Sequence, residues 1–116
     1  MTRGFDEIIK RVIQFRDERD WRQFHDPKNL AEAISVESGE LLEKFLWIGS
    51  TESKQISDTK LRDVEEELAD IAIFMFYLCD ALNIDLLESV ERKIRMNEKK
   101  YPIAKARGTS KKYTEL

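Results

Sequence analysis

The chain has 116 residues, 37% of them charged, and a formal net charge of −3. That length suits one domain with a single core, and the charge offers no basic field to attract a nucleic-acid polymer or an anionic membrane surface. Four glycines, two prolines and one cysteine beside 41% hydrophobic residues exclude a disordered chain, a disulfide scaffold and a turn-rich all-β fold, and point to an all-α fold.

The N-terminal MTRGFDEIIKRV is amphipathic and acidic, without the uninterrupted apolar region of a secretion signal. Phe5, Ile8, Ile9, Val12 and Ile13 recur at helical spacing and predict a first helix from Phe5 to Asp20. WRQFH leads to Asp26-Pro27, an acidic cap before a proline at the first helical position, which starts a second helix running to about Ile48. GSTESKQIS, residues 49–57, is a polar loop. Ser57 or Asp58 caps a third helix through Leu82, where Asn83 is a left-handed terminator. Asp85 opens a fourth helix, stopped near Tyr101 by Pro102. Residues 102–116 carry Lys105, Arg107, Lys111 and Lys112 against Glu115, a basic tail that serves solvation or an anion. No run has strand period and no fixed-length repeat occurs, so the expectation is a four-helix bundle in a single domain, 1–116.

The third helix changes character along its length. Its segment IAIFMFYLC, 71–79, is apolar all round and must be buried on more than one side, which a lone bundle of this size does not provide. The expectation is a homo-oligomer, dimer or larger, formed through this helix. The segment is too short for a bilayer, which takes about 20 residues. Cys79 lies within it and has no disulfide partner in the chain, which fits a core position and a reducing, cytoplasmic setting.

Polar groups on apolar stripes carry the functional reading. On the second helix Leu30, Ile34, Leu41, Phe45 and Ile48 form one stripe, with Glu37 near its centre and Glu40 on its flank. On the third, Leu61, Val64, Leu68, Ile71, Met75, Leu78 and Leu82 form the stripe; Glu67 borders it and Asp70 lies one turn along. If the two helices are antiparallel neighbours, four carboxylates converge, and they repel unless a cation sits among them. Oxygen-only ligands favour Mg²⁺ first and Mn²⁺ second, and the single histidine is not in the Glu-x-x-His setting of di-iron bundles. Magnesium beside a polar cleft suits a phosphate substrate. Acidic pairs three residues apart are also common on solvated helices; Glu37 on the stripe is what solvation leaves unexplained. Gly39, in the middle of the second helix, is read as letting a neighbouring helix or subunit approach the backbone.

Asn97 falls within the Leu87, Val90, Ile94 and Tyr101 stripe of the fourth helix, with Lys93 on its flank. A register-fixing hydrogen bond and a ligand contact are both open for Asn97, as are phosphate and solvent for Lys93. Trp21, His25 and Trp47 form an aromatic group. Trp47, two turns past Glu40, lies about 10 Å along the helix, the scale of a nucleotide from phosphates to base, while the simpler role of the tryptophans is to seal the bundle end.

VESGELLEKFLW followed by EEELADIAIF resembles the MazG-like all-α nucleoside triphosphate pyrophosphohydrolases, whose motif is Glu-x-x-Glu, a variable spacer, then Glu-x-x-Asp. Here the motif reads Glu37-x-x-Glu40, 26 residues, Glu67-x-x-Asp70. RDWRQFHDPKNL, FLW, KIRMNEKKYP and KYTEL are similar to the dCTP pyrophosphatase branch. The resemblance implies Mg²⁺-dependent cleavage between the α and β phosphates, giving a nucleoside monophosphate and pyrophosphate, in a homo-oligomer. It implies that Glu37, Glu40, Glu67 and Asp70 hold the metal on the triphosphate and one of them, Glu40 for choice, orients or deprotonates water. It places Trp21, His25 and Trp47 at the base, and Lys93 and Asn97 at phosphate or sugar. Phe74 stands where some relatives have a tyrosine, which puts sugar discrimination in doubt. The alternatives are a helical interaction module without catalysis, and, among enzymes, dUTP or phosphoribosyl-ATP hydrolysis.

Overall fold

The structure, a computed structural model, describes residues 4–116. Five α-helices account for the regular structure, with three short 3-10 turns and no strand among the described residues. They are α1 (Phe5–Glu18), α2 (Pro27–Glu43), α3 (Asp58–Leu82), α4 (Leu86–Lys100) and α5 (Ile103–Ala106). None is long and apolar enough to cross a membrane. The chain forms two compact units, the first ending at Asn83 and the second running from Ile84 to Leu116.

Local chemistry sets the helix ends in both units. The Asp26 side chain accepts the Asn29 N–H at 2.8 Å and Pro27 supplies the first helical residue of α2, so one orphan donor is satisfied and another never existed. Ser57 does the same for Lys60 at 3.3 Å on α3, and Asp85 for Glu88 at 3.1 Å on α4. Asn83 ends α3 in the left-handed conformation, φ 54° and ψ 45°, which asparagine tolerates.

α2 stops earlier than its apolar stripe suggests. After Glu43 the N–H groups of Lys44, Phe45 and Leu46 bond carbonyls three residues back, and the chain leaves through Trp47 at φ 67°. Phe45 and Ile48 remain half-buried, so the stripe continues in space while the helix does not. The expectation that Trp47 lies two turns along the same helix face as Glu40 is therefore corrected: Trp47 sits past the helix end and is 98% exposed.

In the first unit α2 packs along α3 and α1 packs on α3, with Leu30, Val64 and Tyr77 buried among its apolar side chains. The packed face of α3 is wider than the expected stripe: Val64, Ile71, Met75 and Leu78 are covered as the stripe requires, Phe74 and Tyr77 on the carboxylate flank are covered too, and Leu61, Leu68 and Leu82 are about half exposed. Glu67 thus belongs to the covered face rather than its border. Phe5 packs edge-on against Phe76 at 5.5 Å, tying α1 to α3.

The second unit holds more order than the expected basic tail. α5 follows Pro102, and the Tyr113 ring lies edge-on to Tyr101 at 6.0 Å with Lys100 Nζ 4.8 Å from its centroid. Residues 102–116 fold back on the end of α4 through this aromatic and cation–π contact.

Two substitutions separate packing from capping. Leu30→Ala opens a cavity at a buried site and should cost about 2–5 kcal/mol, while Asp26→Ala removes one cap and should cost about 1 kcal/mol. Urea unfolding of the two variants beside the parent chain checks the order.

Candidate metal and nucleotide site

Glu37 reaches the α2–α3 contact from the middle of α2, and Glu67 and Asp70 meet it from α3. One carboxylate oxygen from each of the three lies within 4.8 Å of the others. Oε2 of Glu37 and Oε2 of Glu67 are buried and accept no hydrogen bond. A buried, unsatisfied carboxylate oxygen costs about 1–3 kcal/mol or more, and two of them facing each other add repulsion. The donor set, the spacing and the orphaned oxygens all fit a hard divalent cation, whose ligands are carboxylate oxygens.

Glu40, one turn beyond Glu37, stands beside this set of three without belonging to it. Lys44, near the end of α2, places Nζ 3.9 Å from Glu67 Oε1. Glu37 thus meets Glu67 and Asp70 while Lys44, two turns later, also reaches Glu67. Lys44 was not singled out in the sequence, where nothing distinguishes it from a solvated lysine.

The electrostatics follow from this crowding. Burial, then the neighbouring carboxyls of Glu67 and Glu40, then the charges of Glu40 and Asp70 push the Glu37 carboxyl up to about 7. Without a cation, Glu37 is the member of the group that carries a proton.

The aromatic residues divide. His25 lies against Tyr77, ring centroids 5.0 Å apart, and edge-on to Phe74 at 6.5 Å. Burial, followed by the positive charge of Arg16, lowers the His25 pKa and keeps the ring neutral; its Nδ1 is buried without a hydrogen-bond partner. Trp21 is half exposed and packs edge-on against Phe15 at 5.7 Å. Trp47 makes no ring contact among the described residues. Lys93 and Asn97 are exposed on α4 of the second unit. Tyr77 is the residue the sequence reading missed; inside IAIFMFYLC its hydroxyl was the one available signal.

Gly39 is exposed, and a Cβ built on it would meet nothing within 4 Å. Among the described residues nothing approaches the backbone there, so the expected close approach of a neighbouring helix is not found.

Residues 33–116 match the MazG-like family. The chain belongs to the MazG-like family. Over 113 residues it is 41% identical to dCTP pyrophosphatase 1 of Mus musculus and 40% identical to that of Homo sapiens, in each case across 95% of this chain and 66% of the relative. The chain therefore spans just under two thirds of the length of these MazG-like relatives. A crystal structure of a pyrophosphatase from Archaeoglobus fulgidus superposes with a TM-score of 0.82 and 42% identity, covering 88% of this chain and 95% of that one. The motif carboxylates Glu37, Glu67 and Asp70 fall within the family match.

The sign of the pH dependence follows from Glu37. Its folded-state pKa, about 7, lies above the ordinary value of 4.5, so the metal-free fold binds a proton the unfolded chain releases, and that stabilisation is lost as pH rises from 4.5 through 7. Thermal melts in chelator should show a midpoint that falls across this window, and Glu37→Gln should flatten the fall. Added divalent cation should raise the midpoint more at pH 8 than at pH 6, since at pH 6 it must displace the proton.

Proposed function

We propose that this chain hydrolyses nucleoside triphosphates between the α and β phosphates, releasing a nucleoside monophosphate and pyrophosphate, with dCTP or a related or modified deoxynucleotide as substrate. The observation that carries the reading is the set of three carboxylates within 4.8 Å, two of whose buried oxygens lack any partner. The names and titles of the MazG-like relatives, dCTP pyrophosphatases and a pyrophosphatase, support the reaction class.

Glu37, Glu67 and Asp70 would hold Mg²⁺, or Mn²⁺ in its place, and Glu40 would complete the acidic group. When bound, the cation neutralises triphosphate charge and stabilises the charge that develops at phosphorus. Glu40, outside the tight set, orients the attacking water and accepts its proton, which requires hydrogen-bond reach to that water rather than to the metal. Lys44 balances the charge of Glu67. The rings of Phe74 and His25 lie toward the base, since Phe74 follows Asp70 by one turn of α3, about 6 Å of rise. Trp21 and Trp47 are exposed rings available to cover the base once substrate is bound.

The reading takes 1–116 as one functional domain of a cytoplasmic homo-oligomer, with no nucleic-acid polymer or membrane as partner. Half-exposed Leu61, Leu68 and Leu82 along α3, together with Val36, Leu42 and Leu46 on and after α2, support association through these helices. Sedimentation at micromolar concentration should give a dimer or larger, and a monomer would contradict the assembly.

A panel of canonical and modified deoxynucleoside and ribonucleoside triphosphates with Mg²⁺ tests the reaction. The expected product is pyrophosphate, with cytosine deoxynucleotides among the better substrates, and Glu37→Gln should reduce turnover by about a thousandfold or more while the chain stays folded. Release of orthophosphate, or full activity of Glu37→Gln, would overturn the assignment.

A further inference from the structure

Arg16 is 2% exposed, the most deeply buried charged side chain among the described residues, yet it is no part of the carboxylate site. Burying a guanidinium is costly unless every side is satisfied. Here Nη1 donates to Asp80 Oδ2 at 2.9 Å on α3, and Nε donates to Asp17 Oδ1 at 2.9 Å. Cζ lies 5.5 Å from the centroid of the Tyr77 ring. The main chain of Arg16 also closes α1, since its carbonyl accepts the N–H of Arg19 at 3.2 Å and of Trp21 at 3.1 Å. One residue therefore anchors the start of the α1–α2 connection, which carries Trp21 and His25, to α3, which carries Glu67, Asp70, Phe74 and Tyr77.

Packing alone does not hold Tyr77 in place. A cavity of about 230 Å³ adjoins its ring, lined otherwise by Ile8, Arg11, Val12, Phe15 and Ile73. That is an open-sided hollow with room for several waters, so packing on that side does not stop the ring from turning. Two polar anchors oppose this: the Tyr77 hydroxyl donates to the Val12 carbonyl at 3.0 Å, and the guanidinium of Arg16 sits against the ring. Along α3 the spacing 67, 70, 74, 77 keeps these residues on one side of the helix, and Tyr77 stands about 10 Å of rise beyond Asp70.

We propose that Arg16 is a positioning residue of the nucleotide site: clamped by Asp80 and Asp17, it holds the Tyr77 ring against His25 and so sets the wall that meets the base. The role rests on the nucleotide reading above. Arg16 touches neither the carboxylates nor the reacting phosphates, so its effect falls on substrate affinity and base discrimination more than on the chemical step.

The double variant Arg16→Met/Asp80→Leu removes the pair that joins α1 to α3 and leaves only Asp17, whose half-exposed carboxylate is solvated, without its partner; Arg16→Lys keeps a charge but loses the fork, and serves if the double variant does not fold. His25 is the only histidine in the chain, so its imidazole protons give one assignable signal. In the parent protein they should show nuclear Overhauser contacts to the Tyr77 ring, and these should be lost or strongly weakened in the folded variant. KM for dCTP should rise about tenfold, with a smaller change in kcat, and the preference among bases should narrow. Retained His25–Tyr77 contacts in either folded variant, or a fall in kcat with KM unmoved, would overturn the proposal. The spectroscopic arm needs no substrate: an inactive parent protein would refute the enzymatic reading, while the contacts still decide whether Arg16 positions the ring.

Discussion

A carboxylate drawn into the contact between two helices has to share a proton or meet a cation. Glu37 is in that position, opposite Glu67 and Asp70, with no hydrogen bond to its inner oxygen. Three acids at this spacing do not stabilise a fold. They suit a divalent cation, and burial among neighbouring carboxyls is what raises the Glu37 pKa. Lys44 relieves part of the repulsion from the edge, at 3.9 Å from Glu67, without filling the centre.

The rest of the first unit follows from keeping that centre in register. α2 and α3 bring the acids together from two capped helices, so the start of each is determined by Asp26 and Ser57 rather than by packing alone. The aromatic side chains continue the same face of α3 away from the acids, first Phe74 and then Tyr77, with His25 arriving from the connection before α2. Arg16 supplies the tie between that connection and α3. The polar and aromatic ends are thus arranged along one helix, an order that suits a ligand with a charged end and a ring.

Much of this was legible in the sequence because it depends on local rules. The caps at Asp26, Ser57 and Asp85, the stop at Pro102 and the left-handed Asn83 are single-residue effects and appear where expected. Glu37 was legible because a carboxylate on an apolar stripe breaks a pattern. What escaped were effects that depend on three dimensions. The end of α2 at Glu43 was hidden because Phe45 and Ile48 keep the apolar period after the hydrogen bonding changes, which also displaced Trp47 from the helix. The packed face of α3 was drawn too narrow because IAIFMFYLC is apolar all round and offers no contrast to mark its edges. Arg16 carries no signal in the sequence, since its partner Asp80 lies 64 residues away. The fold of residues 102–116 on α4 was hidden for the same reason, a basic composition masking one aromatic contact at Tyr113.

The central claim is that the proton on Glu37 and a divalent cation compete for one place. Calorimetric titration of the chelated protein with Mg²⁺ in buffers of different ionisation enthalpy measures both partners at once. The account predicts binding accompanied by proton release that approaches one proton per ion near pH 6, fades by pH 8, and is absent in Glu37→Gln. Binding with no proton release at pH 6, or release that persists unchanged in Glu37→Gln, would contradict it.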